Sequence, residues 1–228
     1  LRKVDAARQP SINRQVSSGR AYAYTAAMHT AHPGAASKMS SDAQFRVSTN
    51  SFEQLAFLFH EAKPEDDSSY VKILGVIKNR RHYRWIRNEY ITGPESFDKY
   101  KVAVPAANGS GSTTDFFGVA LNNPAVLEPG VGVTQTFLTI GSFDTEGEAQ
   151  ACLKYVSTKF ARAMLGILKA TQHNPASTWK HVPLQDFTSA SDIDWSKPIP
   201  AIDQQLYAKY GFDSEEIAFI ETNVRPMG

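Results

Sequence analysis

The period of hydrophobic and polar positions changes along this chain, and the changes divide it into elements. Leu1–Gly19 is polar and fits no regular pattern. Tyr22–Thr25 sets tyrosine and threonine between alanines, as a short strand would. His29–Ser41 is small, polar and turn-rich, the composition of a loop. Phe52–Phe59 is an apolar, aromatic run compatible with strand or helix. A charged turn, Lys63–Ser69, leads into Tyr70–Ile77, which reads as a buried strand. Arg81–Ile86 reads as its neighbour, with Lys78–Arg80 as the hairpin turn. Lys99–Pro105 alternates with period two. Two irregular stretches follow, the glycine- and serine-rich Ala106–Thr114 and Asn122–Val133. Thr134–Ile140 then returns to strong β formers.

Beyond Thr145 the period becomes helical. Thr145 and Glu148 have capping-box spacing, and Ala149, Cys152, Leu153, Val156, Phe160, Met164, Ile167 and Leu168 recur on one face. The pattern predicts a single amphipathic helix over Thr145–Lys169. Trp179–Phe187 reads as extended. Ile202–Tyr210 predicts a short helix stopped by Gly211, and Asp213 with Glu216 opens another through about Thr222. The elements together predict an α+β fold: a twisted mixed or antiparallel sheet with a long packed helix and a C-terminal helical tail. Three parts follow, 1–70, 71–187 and 188–228, the middle one carrying the core.

Charge changes this picture more than composition does. The net charge of +1 gives the whole molecule no strong field. That total hides a basic middle, with Lys72, Lys78, Arg80, Arg81, Arg84, Arg87, Lys99 and Lys101 against Glu89, Glu95 and Asp98. The stretch from Asp186 to Glu221 is acidic. Cys152 is the only cysteine, which excludes an internal disulfide and a cysteine-based zinc site, and it reads as a small apolar residue on a helix. With no secretory signal and no bilayer-length apolar run, a cytoplasmic setting and no membrane partner are expected. A chain starting at Leu1 suggests a fragment or a processed protein.

The basic hairpin KNRRHYRWIR, Lys78–Arg87, carries the strongest functional signal. Arginine serves both phosphate contact and bidentate base reading, and a hairpin fits the major groove. Alternation puts Arg81 and Arg87 on one face with Tyr83 and Trp85, and Arg80 and Arg84 on the other. The same cations also fit a solvated edge strand, where they block aggregation. Candidate DNA contacts are Lys78, Asn79, Arg80, Arg81, Arg84, Arg87, Lys101, Asn108 and Ser110; Ser112 belongs to the same loop as the last two. Ala106–Thr114 lacks the Lys-Ser/Thr of a nucleotide P-loop. Gln172 and Asn174 have amides that could read adenine, or simply end a helix before Pro175. His29, His32 and Asp42 match no metal-site spacing. Asp42, Glu61 and Lys63 could instead form a small nuclease centre.

Longer strings are more specific. ITGPESFDKYKVAVPAANGSGS, TFLTIGSFDTEGEAQACLKYVSTKFARAMLGILKATQHNP, WKHVPLQDFT and DIDWSKPIPAIDQQLYAKYGF resemble the C-terminal target-recognition region of bacterial adenine-specific DNA methyltransferases. Those proteins belong to restriction–modification systems, as type III methylation subunits or fused type II methylase–endonucleases. The resemblance runs over about Lys72–Met227, is strongest from Thr136, and includes the hairpin KILGVIKNRRHYRWI. Ser17–Thr25 departs from it: relatives carry a Pro-Phe-Gly-like stretch where this chain has Ala21-Tyr22-Ala23. The resemblance implies sequence-specific binding of double-stranded DNA beside the parent's methylase domain, with a restriction subunit as a further candidate partner. S-adenosylmethionine would belong to that parent. The chain lacks the Asn/Asp-Pro-Pro-Tyr/Phe tetrapeptide that holds a flipped adenine, so no catalytic residue, cofactor or metal is expected within it. The alternatives are the small metal-dependent nuclease and a protein-interaction domain of a restriction–modification complex.

Overall fold

A computed structural model describes residues 1–39, 45–107, 119, 121–168 and 173–227. The elements run α1 (Arg2–Ala6), β1 (Val16–Ser18), β2 (Ala23–Tyr24), α2 (Ala26–Ala31), α3 (Ser51–Gln54), β3 (Tyr70–Ile77), β4 (Arg80–Arg87), β5 (Ile91–Thr92) and β6 (Tyr100–Pro105). There follow β7 (Ala125–Leu127), β8 (Val131–Val133), β9 (Phe137–Phe143), α4 (Glu146–Ser157), α5 (Lys159–Gly166), α6 (Ile199–Lys209) and α7 (Ser214–Asn223). Short 3-10 turns link several of them.

The chain is α+β. An antiparallel four-stranded sheet has the order β1-β9-β6-β7, and a mixed three-stranded sheet has the order β4-β3-β8. In the second sheet β3 pairs antiparallel with β4 and parallel with β8. A separate two-stranded ribbon, β2-β5, packs Tyr24 and Ile91 into the core beneath β3 and β4. Two apolar clusters hold the layers together. One joins the inner face of β6 and β9 to α4, α5, α6 and α7, with Trp179, Tyr155 and Phe160 at its centre. The other lies under the β3–β4 hairpin, with Tyr22, Phe52, Leu55, Ile73 and Ile86.

The single long helix expected over Thr145–Lys169 is two helices. Thr158 adopts φ −62°, ψ 151° and caps α5, its side chain accepting from the Ala161 N–H. The carboxylate of Asp203, from α6, accepts from the N–H groups of Lys159 at 3.1 Å and Phe160 at 2.9 Å. The first N–H groups of α5 thus find side-chain acceptors, so the break costs little. The capping boxes at Thr145/Glu148 and Asp213/Glu216 are both formed, Gly211 takes a positive φ, and Cys152 is buried on α4.

Other boundaries also move. The described part of the expected loop, residues 29–39, is not simply a loop: Thr25 caps α2 by accepting from Met28 N–H, and Pro33 opens a 3-10 turn through Lys38. Phe52–Phe59 resolves into α3 and a 3-10 turn, Ala56–Leu58. The strand expected at Thr134 starts at Phe137. Before it, Thr134 N–H donates to Leu74 O and Gln135 N–H to Val47 O, so the chain crosses between layers there. Trp179–Phe187 begins as a 3-10 turn, Ala176–His181, and only then extends against Pro10 and Ile12. Nor do the residues from 188 onward stand apart: Ile202, Leu206, Tyr207, Ile220 and Val224 share one core with Val4, Ile12 and α4. No helix among the described residues is long and apolar enough to cross a membrane.

Candidate nucleic-acid interface

The β3–β4 hairpin keeps full register from Tyr70↔Arg87 to Ile77↔Arg80. Its turn is therefore two residues, Lys78 and Asn79, at φ 48° and 61°. Positive φ at both positions is the tight turn whose twist matches antiparallel strands, and asparagine tolerates it well. Arg80, expected within the turn, already belongs to β4. One face of the hairpin packs inward through Ile73, Gly75 and Ile86. A β-carbon at Gly75 would lie 2.5 Å from the Phe52 ring, so only glycine lets that ring approach.

The cations of this hairpin have different surroundings. Lys78 and Arg80 are exposed, and neither makes an ion pair among the described residues. Arg81 donates from Nη2 to Asn122 O at 2.9 Å, with its guanidinium 5.2 Å from the Phe137 ring centre. Partial burial lowers its pKa. Arg84 has a side chain only 17% exposed and pairs with Glu61 at 2.7 Å. Arg87 faces Asp66 at 3.7 Å and Glu89 at 3.5 Å. Phosphate contact by Arg84 or Arg87 would therefore compete with carboxylates already in place.

Lys101 corrects the sequence reading. It is wholly buried in β6, and its ammonium donates to the carbonyls of Phe97 (3.0 Å), Lys99 (2.8 Å) and Glu128 (3.2 Å). Burial pushes its pKa down to about 8. It serves the fold and offers nothing to a surface ligand. Asn174 is likewise buried, its amide donating to Pro105 O at 3.2 Å. Asn108 and Ser110 lie outside the described residues, as do Asp42, Ser112 and Gln172. Glu61 is occupied by Arg84, and the Lys63 ammonium lies 5.8 Å from the Trp85 ring centre. His29 and His32 meet Phe45 and Phe57 edge-on or tilted.

Segments distant in sequence meet near the start of β9. Thr134 N–H donates to Leu74 O of β3, and Ala106 N–H donates to Thr136 O. Ala107 bridges to His173, and Asn174 N–H donates to Ala106 O at 2.8 Å. The roots of the glycine-serine loop and of the TQHN segment are thus tied to each other and to Thr136, two residues beyond the Thr134 link to β3 of the hairpin. Arg20 joins them, and the sequence reading missed it. A β-carbon at Gly19 would sit 2.4 Å from the carbonyl oxygens of Thr134 and Phe137. That close approach pins the short turn Gly19–Ala21 against β9 and leaves Arg20 exposed. An arginine beside a glycine was the signal available, but it lay where the family resemblance was weakest.

No family model matches the chain, and no curated protein or solved structure matches it significantly. The reading of this surface rests on its own chemistry.

Proposed function

We propose that the chain binds duplex DNA in a sequence-dependent way through the tip of the β3–β4 hairpin and the segments gathered at the start of β9. In this reading it is the target-recognition part of an adenine-specific restriction–modification methyltransferase. The methyltransferase part of this reading rests on the sequence resemblance alone; the observation that carries duplex binding is the division among the hairpin cations. Among the described residues Lys78 and Arg80 at the tip make no ion pair, while Arg84 and Arg87 nearer the base are held by Glu61, Asp66 and Glu89. A two-stranded ribbon with free cations at its end can enter the major groove and meet the phosphates that flank it. Arg81, tethered to Asn122 and lying over Phe137, is positioned more rigidly than its neighbours, which suits base reading better than diffuse charge. Arg20, exposed beside the Gly19 contact with Thr134 and Phe137, is a further candidate cation. Helix α6 packs on α4 and α5, and α7 packs on α5. The carboxylates of α7, Glu215, Glu216 and Glu221, would repel phosphate, whereas α6 balances Asp203 with Lys209.

The test is binding to mixed-sequence duplex DNA as salt is raised. Removing one cation that neutralises a phosphate makes the log–log salt slope shallower by about one. Lys78→Ala with Arg80→Ala should flatten it by about two. Arg84→Ala with Arg87→Ala should change it far less. Equal slopes for the wild type and the tip variant would remove the hairpin from the interface.

A further inference from the structure

The outward face of the hairpin borders a cavity that neither the fold nor the tip cations explain. Lys72, Tyr83, Val126, Leu127, Glu128 and Val131 line it, and its volume is about 190 Å³. That is about six waters' worth of space, well below the usual 300–1,000 Å³ of a drug-sized pocket, and it suits one small planar ring system. Val126, Leu127 and Val131, from β7 and β8, give an apolar lining. Tyr83, on β4 opposite Leu74, gives an aromatic wall and is 44% exposed, unusually open for a tyrosine beside apolar strands.

The polar groups are arranged for a ligand rather than for each other. Lys72 and Glu128 carry opposite charges on one cavity, yet among the described residues neither makes an ion pair. The Lys72 ammonium instead lies 5.0 Å from the centre of the Trp85 ring. The Glu128 backbone carbonyl is taken by Lys101 and Val131, which fixes the main chain and leaves the carboxylate exposed. The Tyr83 hydroxyl has its pKa raised by burial, opposed by the charge of Arg81 and reinforced by that of Glu128, so all three groups share one electrostatic neighbourhood.

We infer that this cavity is a subsite for a single heterocyclic base carrying an exocyclic amino group, with Tyr83 against the ring face and the Glu128 carboxylate accepting the amino hydrogens. A carboxylate has only acceptors, so it favours the amino-bearing edges of guanine, cytosine or adenine over the carbonyl-bearing edge of uracil or thymine. Aromatic stacking accepts any base, so Tyr83 would supply affinity and Glu128 preference. Lys72 adds a cation for the attached phosphate. The base could come from a free nucleoside or nucleotide, or from a nucleic acid with one position unpaired. The second source rests on the DNA-binding reading above; the first does not.

Two measurements on the full chain separate these sources. In the first, guanosine, cytidine and uridine are titrated while amide and Tyr83 ring signals are followed by NMR. Guanosine and cytidine should shift signals around Tyr83 and Leu127, with uridine at least tenfold weaker. Glu128→Gln, whose amide both donates and accepts, should erase that preference, and Tyr83→Ala should abolish binding. In the second, 2-aminopurine is placed opposite an abasic site in a duplex, where unpairing costs least. Its fluorescence should be quenched by the wild type and not by Tyr83→Ala.

A response in the first alone supports a free-nucleoside site, and a response in the second alone supports a base presented by nucleic acid. Silence in both, or responses that Tyr83→Ala and Glu128→Gln leave intact, overturns the inference. Loss of the salt-dependent duplex binding described above, with nucleoside binding retained, would instead overturn the DNA reading and leave the cavity standing.

Discussion

Lys101 and Arg80 are both cations in the basic middle of the chain, and only their surroundings separate them. Arg80 ends in solvent, whereas Lys101 ends among three backbone carbonyls. Alternation in KYKVAVP puts Lys101 on one face of a strand but does not say that this face is covered. Removing its donors while keeping its stem, as in Lys101→Met, should cost about 1–3 kcal/mol, chiefly at the Lys99 carbonyl, because the Phe97 and Glu128 carbonyls also accept from the N–H groups of Gly130 and Val131. The duplex salt slope should not change. A pH signature accompanies this: the folded pKa of about 8 lies below the ordinary 10.5, so the unfolded chain holds the extra proton between those values. Stability should therefore rise with pH across that interval, and Lys101→Met should remove the rise. Urea unfolding at pH 7.5 and pH 10 reads both effects; a Lys101→Met protein with unchanged stability and a shallower salt slope would return Lys101 to the DNA surface.

At the scale of elements, the sequence was most legible where a cap and a period agree. The boxes at Thr145/Glu148 and Asp213/Glu216, and the strands of the hairpin, depend on neighbours within a few residues. The break between α4 and α5 was not legible because half of its cause is Asp203, distant in sequence and supplied by another helix. Thr25 was a local cap that the polar composition around it masked. In the candidate site the same rule holds: the charge of the hairpin could be read directly, but the carboxylates that occupy Arg84 and Arg87 are set by the fold. Asp203 also makes the helix break measurable. Burial raises its pKa to about 6, against the two backbone N–H groups that favour its anion. The folded chain then keeps a proton that the unfolded chain has lost between about pH 4 and pH 6. Stability should fall by roughly 2–3 kcal/mol as pH rises through that window. Asp203→Asn should flatten the profile; parallel profiles for wild type and variant, from urea midpoints at pH 4 and pH 7, would place the proton elsewhere.

Across the whole molecule, charge and packing divide the chain differently. Charge separates a basic hairpin from an acidic C-terminal stretch, which invites a division near residue 188. Packing joins that stretch to the rest. Ile202, Leu206 and Tyr207 are buried against α4 and α5, Lys3 pairs with Asp213 and Glu216, and Lys159 pairs with Glu221. Asp203 completes the cap of α5 from within the same segment. Each fully buried large side chain is worth about 1.5–3 kcal/mol, so losing several of them removes as much as a whole domain's net stability of about 5–15 kcal/mol. A chain ending at Phe187 should therefore fail to form the cluster around Trp179 and Phe160. Its near-UV circular dichroism should be lost, it should bind hydrophobic dye, and its urea transition should lose cooperativity. The β3–β4 hairpin draws on the second cluster, under Ile73 and Ile86, and its amides should keep partial protection from hydrogen exchange in the same truncated chain. A truncated chain that unfolded cooperatively at the wild-type midpoint would show that α6 and α7 decorate the core rather than build it.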